Sequence, residues 1–365
     1  MNVGILGAGQ LGRMLAIAGQ PLGARFKFYD PNPDSPVRDV GALTTADYSD
    51  TGALERFAHG LDAVTYEFES IPVTAVETVG KCAPVFPSVQ ALKTAQDRVL
   101  EKRCFQHMGI PTAPSRDVAS RGDLDKAAHE IGLPAVLKTR CLGYDGKGQV
   151  VIRDESELPA AWAELGGVPL ILEQFVEFDR EISIIAARSR DGHIAYYPIV
   201  ENEHDGGILS CSFAPADVSD SNVRTARGYA RALMSSFDYV GVMALEMFQS
   251  GEKLIANEIA PRVHNSGHWT IEGADTSQFE NHVRAVCGSA LGDCSPRGYS
   301  MLLNVLGTDP DAQAIMAVPG AHLHMYGKAP ALRRKLGHVT VVGGDAGEVR
   351  KRAALLKHIL KGAVL

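Results

Sequence analysis

Gly7, Gly9 and Gly12 follow a short apolar run in VGILGAGQLGRM, residues 3–14, and a helical pattern continues beyond them. No other feature restricts the fold of the N-terminal part so tightly. A buried strand that turns sharply into a helix needs glycines where the backbone bends, and the free N–H groups at the helix start attract an anion. Asp30 ends RFKFYD eighteen residues after Gly12, where a dinucleotide-binding unit places a ribose-binding acid. The spacing is compatible with a nicotinamide cofactor, and equally with a doubly wound domain that keeps the turn for another purpose. Apolar runs alternate with helical patterns up to DAVTYEFES, which predicts a βαβαβ unit over residues 1–90 closed by APVFPS. Asp30 and Glu69 fall near the strand ends that such a unit turns toward a ligand.

The rhythm then changes. One helix is predicted from Ala91 to His107, ended by Gly109 and Pro111, and after it strand signals follow one another in antiparallel style. Residues 91–295 are therefore read as a separate α+β region, and residues 296–365 as a small third portion ending in a helix. At 365 residues, 45% of them hydrophobic and 22% charged, the chain can build two or three such cores. A net charge of -7 argues against nucleic acid as the main partner, so any phosphate site must be built locally. Six cysteines without a C-x-x-C pair suggest neither a zinc site nor a disulfide framework and fit a reducing, cytoplasmic setting. No apolar stretch reaches membrane-spanning length.

Four segments carry chemistry. In VLKTRCLGYDGKGQVV, residues 136–151, a strand delivers Lys138, and a loop with Gly143, Gly146, Lys147 and Gly148 turns back into a strand near Gln149. Glycine-rich backbone between lysines suits a polyphosphate; an ordinary hairpin with a mobile tip is the bland alternative. VGVMALEMFQSGEKLIANEIAPRVHNSGHW, residues 240–269, reads as a hairpin. A three-residue loop at 251–253 would set Ser250 opposite Leu254 and Glu246 opposite Glu258. Two opposed carboxylates repel unless a cation lies between them, and two hard oxygen donors completed by water and phosphate suit Mg2+. The alternative is a pair of exposed strand glutamates. Arg262, His264 and Asn265 follow, and could hold a small oxyanion. LILEQFVEFDREISI, residues 170–184, fits a hinge whose backbone pairs with a purine edge while Glu181 takes ribose hydroxyls, or else a solvated turn. YGKAPALRRKLGHVT concentrates Lys328, Arg334 and Lys335, suiting a phosphate monoester or a solvated basic loop.

Taken together, GILGAGQLGRM, TYEFES, KTRCLGYDGKGQ, EQFV, ENEHDGGIL, NEIAPRVHNSGHWT and YGKAPALRRKLGH resemble the ATP-grasp superfamily, in the branch that carboxylates 5-aminoimidazole ribonucleotide during purine biosynthesis. The resemblance covers nearly the whole chain. It implies a Rossmann-like pre-ATP-grasp domain (1–90), a two-part ATP-grasp domain (91–295) and a small C-terminal domain (296–365), in a mixed α/β and α+β architecture. By this likeness the N-terminal domain helps to form the ribonucleotide site and holds no dinucleotide. Arg98, Lys138 and Asn257 would meet the phosphates of ATP, with residues 143–149 as lid. Glu173, Gln174, Phe175 and Val176 would hold adenine, with Glu181 and His204 near the ribose and Glu246 and Glu258 on magnesium. Arg262, His264 and Asn265 would position bicarbonate or carboxyphosphate. Tyr144, Asp145 and Lys147 on the lid, with Glu69, Lys328, Arg334 and Lys335, would touch the ribonucleotide. A homodimer and a handover of product to a downstream mutase are also implied.

Two departures stand out. Many ATP-grasp chains carry Glu-x-Asn on the metal strand, whereas here Glu258 is followed by Ile259 and Ala260, and at 331–335 the chain reads ALRRK where relatives tend to R-P-G-R-K. The nearest rival reading is another ATP-grasp ligase working through an acyl phosphate, such as the formate-dependent glycinamide ribonucleotide transformylase. A nicotinamide-dependent dehydrogenase would leave Glu246, Glu258 and the lid without a role, and a silent adenine-nucleotide sensor would leave the paired glutamates unexplained.

Overall fold

The computed structural model describes residues 1–143 and 146–362. Its first layer is a parallel sheet in the order β3-β2-β1-β4, from β1 (Asn2–Leu6), β2 (Arg25–Tyr29), β3 (Ala42–Thr44) and β4 (Ala63–Tyr66). Helices α1 (Gln10–Gly19), α2 (Thr51–Ala58) and α3 (Val73–Gly80) connect and cover it. This is the βαβαβ unit that the apolar rhythm predicts. Only Ala63–Tyr66 of DAVTYEFES is strand, so Glu67, Phe68 and Glu69 lie beyond the sheet edge.

The helix predicted over 91–107 is two helices, α4 (Val89–Ala95) and α5 (Arg98–His107). The break is chemical. Asp97 leaves helical geometry and its carboxylate accepts from the Val99 N–H at 2.9 Å, capping α5, while Ser88 caps α4 in the same way. Next comes a four-stranded antiparallel sheet, β5-β8-β6-β7, built from β5 (Ser115–Val118), β6 (Ala135–Thr139), β7 (Gln149–Ile152) and β8 (Leu170–Gln174). Helices α6 (Arg121–Ile131) and α7 (Leu158–Leu165) pack on it.

The third sheet is the largest. Its strands are β9 (Arg180–Arg188), β10 (Ile194–Tyr196), β11 (Val200–Asp205), β12 (Ile208–Ala214), β13 (Gly241–Ser250), β14 (Lys253–Ala260), β15 (Tyr299–Leu306), β16 (Ala321–Met325) and β17 (Lys335–Gly343). They run β14-β13-β9-β11-β12-β15-β17-β16, with β10 paired to β9, so the C-terminal strands continue the sheet of the preceding region through β12 and β15. Helices α8 (Asp220–Ser236), α9 (Thr270–Gly273), α10 (Gln278–Val286), α11 (Ala312–Met316) and α12 (Ala346–Gly362) complete the described chain. Every pair in this sheet and the second is antiparallel.

The first sheet is fixed to the third by α1 against α10: Leu15, Phe26, Phe279 and Val283 share one apolar core. Fully burying each such side chain contributes about 2 kcal/mol. His282 on α10 adds a polar link, its ring nitrogens lying 2.8 Å from Thr65 Oγ1 of β4 and 3.1 Å from the Val242 N–H of β13. Among the described residues no helix is long and apolar enough to cross a membrane.

Candidate active site

A cleft of about 1150 Å³ opens where the three sheets converge. Its wall includes Glu69, Arg98, Gly143, Gly146, Lys147, Glu258, Arg262, His264, Asn265, Lys328, Arg334 and Lys335, so residues from all three parts of the chain meet there. The sequence places these residues up to 266 positions apart, and the sheet topology alone brings them together.

The hairpin of β13 and β14 builds the acidic end. Its loop has two residues rather than the expected three: Ser250 pairs with Lys253, and Gly251 takes φ +57° at the turn. That register alone would misalign the glutamates. A bulge at Asn257 inserts one residue, after which Glu246 pairs with Glu258. Loop length and bulge offset each other, so the expected carboxylate pair forms by a different route. Arg98 Nη1 reaches Glu258 Oε2 at 2.9 Å, and His264 Nε2 lies 3.4 Å from Glu246 Oε1. Burial and the facing Glu258 raise Glu246 above the ordinary carboxylate range, whereas Arg98 overcomes burial and lowers Glu258. Two facing carboxylates, Glu246 half-buried and Glu258 open to the cleft, fit a divalent cation that takes its remaining ligands from phosphate and water. Asn257 Oδ1, buried beside them, has no hydrogen-bond partner.

The cationic side is a ladder. Lys138 on β6 donates to Glu173 Oε2 at 3.0 Å, and Lys102 on α5 reaches the same oxygen at 3.3 Å. Although burial raises it, the two lysines bring the Glu173 carboxyl down to about 2. Glu173 therefore fixes two ammonium groups, a contact that assignment to an adenine hinge did not anticipate. Glu101 and Lys102 were also missed. Arg98, Glu101, Lys102 and Phe105 recur at helical spacing, which puts them on one face of α5, and that periodicity was available in the sequence. Glu101 Oε1 accepts from the Ile259 N–H at 2.6 Å, and burial, with Glu258 near it, pushes its carboxyl up to about 8.

On the opposite wall Arg262 Nη2 meets Glu69 Oε1 at 2.8 Å. Asn265 and Asn304 exchange amide hydrogen bonds of 3.0 and 2.7 Å. Burial, with Arg262 nearby, lowers His264 far below the ordinary imidazole value, so it is neutral near pH 7. The lid joins β6 to β7, with Lys138 opposite Gln149. Gly146, at φ +75°, packs so closely on the 205–207 turn that a Cβ there would sit 2.7 Å from Gly206 O. Tyr144 and Asp145 lie outside the described residues.

Not every expected residue reaches this cleft. Lys138, Gly148, Gln149, Glu173–Val176, Glu181, His204, Glu246 and Asn257 are not on its wall. Gln174 and Phe175 spend their backbone N–H groups on Pro114 O and Pro134 O, at 2.8 and 3.0 Å. Glu181 and His204 pair with each other. At the departure from the family pattern, Arg333 occupies φ +59° and donates to Gly206 O at 2.8 Å, and Leu332 is 93% exposed at the cleft mouth.

The glycine turn of the first sheet proves to be filled from within. Glu67 accepts from the Gly9 N–H and, at 2.6 Å, from the Gly12 N–H, while Asp30 accepts from Ala8 N at 3.1 Å. A Cβ at Gly7 would come within 2.5 Å of Glu67 Cγ. The anion these glycines accommodate is a side chain of the same chain, which removes the structural basis for a dinucleotide.

Paired carboxylates on adjacent strands, a lysine ladder and a glycine-rich lid between two α+β sheets define the ATP-grasp class. Family models agree: residues 103–279 match the ATP-grasp domain, residues 1–96 the ribonucleotide synthetase preATP-grasp domain, and residues 300–352 the phosphoribosylaminoimidazole carboxylase C-terminal domain. The chain is 49% identical to the N5-carboxyaminoimidazole ribonucleotide synthase of Pseudomonas aeruginosa, covering 99% of this chain and 100% of the relative. The crystal structure of N5-carboxyaminoimidazole ribonucleotide synthetase from Thermus thermophilus superposes with a TM-score of 0.94 at 50% identity, covering 98% of each chain. The synthase from Aspergillus clavatus in complex with ADP and 5-aminoimidazole ribonucleotide superposes with a TM-score of 0.91 at 31% identity, covering 99% of this chain and 98% of that one. The chain belongs to the N5-carboxyaminoimidazole ribonucleotide synthase family.

Proposed function

We infer that this protein is a carbon–nitrogen ligase that uses ATP and bicarbonate to carboxylate 5-aminoimidazole ribonucleotide at its exocyclic amine, releasing ADP and phosphate. The observation that carries the reading is that Arg98, Glu258, Arg262, His264 and Asn265 share one cleft wall, with Glu246 paired to Glu258 and the Lys102–Glu173–Lys138 ladder tied to the same strand where Lys102 donates to Asn257 O at 2.9 Å.

The chemistry explains why all three are needed. Bicarbonate is a poor acyl donor because its leaving group is hydroxide. Attack of a bicarbonate oxygen on the γ-phosphorus forms carboxyphosphate and expels ADP. The amine then attacks the carboxyl carbon, or the CO2 released from it, and phosphate leaves. Glu246 and Glu258 would hold Mg2+, which supplies positive charge against the phosphoryl oxygens when bound. Lys138 and Arg98 neutralise the transferring phosphoryl group, and the lid glycines let backbone N–H groups approach it. Arg262 and Asn265 bind and orient the carboxyl oxygens, and neutral His264 donates one hydrogen bond to them. Glu69, Lys147, Lys328, Arg334 and Lys335 line the side where the ribonucleotide enters; Tyr144 and Asp145, assigned to the same ligand by the family resemblance, lie outside the described residues. Glu173–Val176 would take adenine, with Glu181 and His204 toward the ribose. A homodimer, a cytoplasmic setting suited to six unpaired thiols, and handover of the labile carbamate to a mutase belong to the same reading.

Amine choice tests it. ADP release with Mg-ATP and bicarbonate is expected to rise strongly on adding 5-aminoimidazole ribonucleotide and not on adding glycinamide ribonucleotide with formate. The reverse preference would replace the substrate assignment by the transformylase one.

A further inference from the structure

Behind His264 a file of buried polar side chains crosses four elements and reaches no solvent. Ser266 Oγ is 2.9 Å from His264 Nδ1 and 2.8 Å from Ser183 Oγ on β9. Asn202 Nδ2 on β11 donates to Ser183 Oγ at 3.0 Å, and Ser212 Oγ on β12 donates to Asn202 Oδ1 at 2.7 Å. Ser183, Ser212 and Ser266 are fully buried, and Asn202 is 6% exposed. Four hydroxyl and amide groups in an apolar interior are costly unless each is used, and here each has a partner.

The direction of the file follows from one group that cannot reverse. The Ser266 backbone N–H points at His264 Nδ1 from 3.3 Å, and a backbone N–H only donates, so Nδ1 accepts. The Ser266 hydroxyl then also donates to Nδ1. Its oxygen is left to accept from Ser183, whose oxygen accepts from the Asn202 amide, whose carbonyl accepts from Ser212. In this arrangement every hydroxyl hydrogen of the file meets an acceptor. At the other end of the ring the proton resides on Nε2, 3.4 Å from Glu246 Oε1 on the cleft side.

We propose that Ser266, Ser183, Asn202 and Ser212 are positioning residues that, together with the Ser266 backbone N–H, hold His264 in the Nε2–H tautomer, so that Nε2 presents a hydrogen-bond donor to the anionic reactants. The proposal rests on the reading of the cleft given above for what the donor contacts. In the other tautomer a lone pair on Nε2 would face the Glu246 carboxylate and the substrate oxygens, a repulsive arrangement in a site of low dielectric.

The test separates tautomer from turnover. The full chain is labelled with 15N-histidine and the His264 ring signals are identified by their loss in His264→Gln. Asn202→Asp keeps the shape but supplies only acceptors, so Ser183 turns its O–H toward residue 202, Ser266 turns toward Ser183, and Nδ1 loses its hydroxyl donor. Ser266→Ala, which removes the hydroxyl donor to Nδ1 itself without adding a carboxyl group, is the second variant should the first fail to fold. The wild type is expected to show a protonated Nε2 and a bare Nδ1, and both variants a shift toward Nδ1–H. ADP release dependent on the ribonucleotide should fall about 10- to 100-fold with KM for ATP unchanged within about twofold. A wild-type ring protonated at Nδ1, or variants whose ring signals match the wild type, would overturn the proposal. A shifted tautomer with undiminished turnover would leave the relay in place and remove His264 from the mechanism inferred for the cleft.

Discussion

The chain holds two glycine-rich turns, at 7–12 and at 143–148, and both signal exposed backbone donors near an anion. They differ in what fills them. In the first, Glu67 of the same chain takes the Gly9 and Gly12 N–H groups. In the second, the described glycines join a strand carrying Lys138 to the turn at 205–207 and border an open cleft. A glycine spacing therefore reports where backbone is bare, and the anion must be sought in the rest of the fold. The first turn is a joint closed within its own sheet, and the second borders the cleft, where the function proposed above makes it a cover.

That contrast predicts a graded set of losses. Glu258→Gln, which removes a carboxylate beneath the cover, should reduce ribonucleotide-dependent ADP release by about 10²- to 10³-fold, in the range found for loss of one precisely placed electrostatic group. Unchanged turnover would move the metal site elsewhere. The joint should respond in stability instead. His282, which ties the first sheet to β13, is held down to about 4 by burial against an ordinary 6.5. Between those values the unfolded chain binds the proton and the folded chain does not, so the contribution of this group is full above pH 6.5, declines as pH falls below it and is gone near pH 4. The difference corresponds to about 3 kcal/mol. Denaturant unfolding at pH 7 and pH 5 should show a larger loss in the wild type than in His282→Asn, since His264, also held neutral by burial, gives both proteins a dependence of the same sign. Glu67→Ala strands two N–H groups and should lower unfolding free energy by about 2 kcal/mol without creating NADH binding. NADH binding to that variant would show that the turn had only been masked. Smallest is Gly146→Ala, where a Cβ meets φ +75° and Gly206 O. It should cost about 1 to 2 kcal/mol in stability, because the atom met is backbone, and its effect on turnover should appear mainly in KM for ATP.

Local patterns in the sequence carried much of this. The alternation of apolar runs and helices gave the first sheet, and the antiparallel hairpins followed from strand density. The carboxylate pair was legible although the hairpin loop was counted one residue too long, because the bulge at Asn257 restored the alignment; bulges leave no simple mark in composition. Asp97 as a helix cap was readable and overlooked, which merged α4 with α5. Glu67 was not readable, since its partners lie 55 and 58 residues away across a parallel sheet. Nor was the Glu173 bridge between Lys102 and Lys138, which depends on how a helix docks on a sheet.

The central claim is that bicarbonate is activated in this cleft by phosphoryl transfer from ATP. The most direct measurement follows 18O from labelled bicarbonate during turnover with 5-aminoimidazole ribonucleotide. The account predicts one labelled oxygen in each phosphate released, because the oxygen that attacks phosphorus leaves with it. Phosphate whose new oxygen comes from water would contradict it.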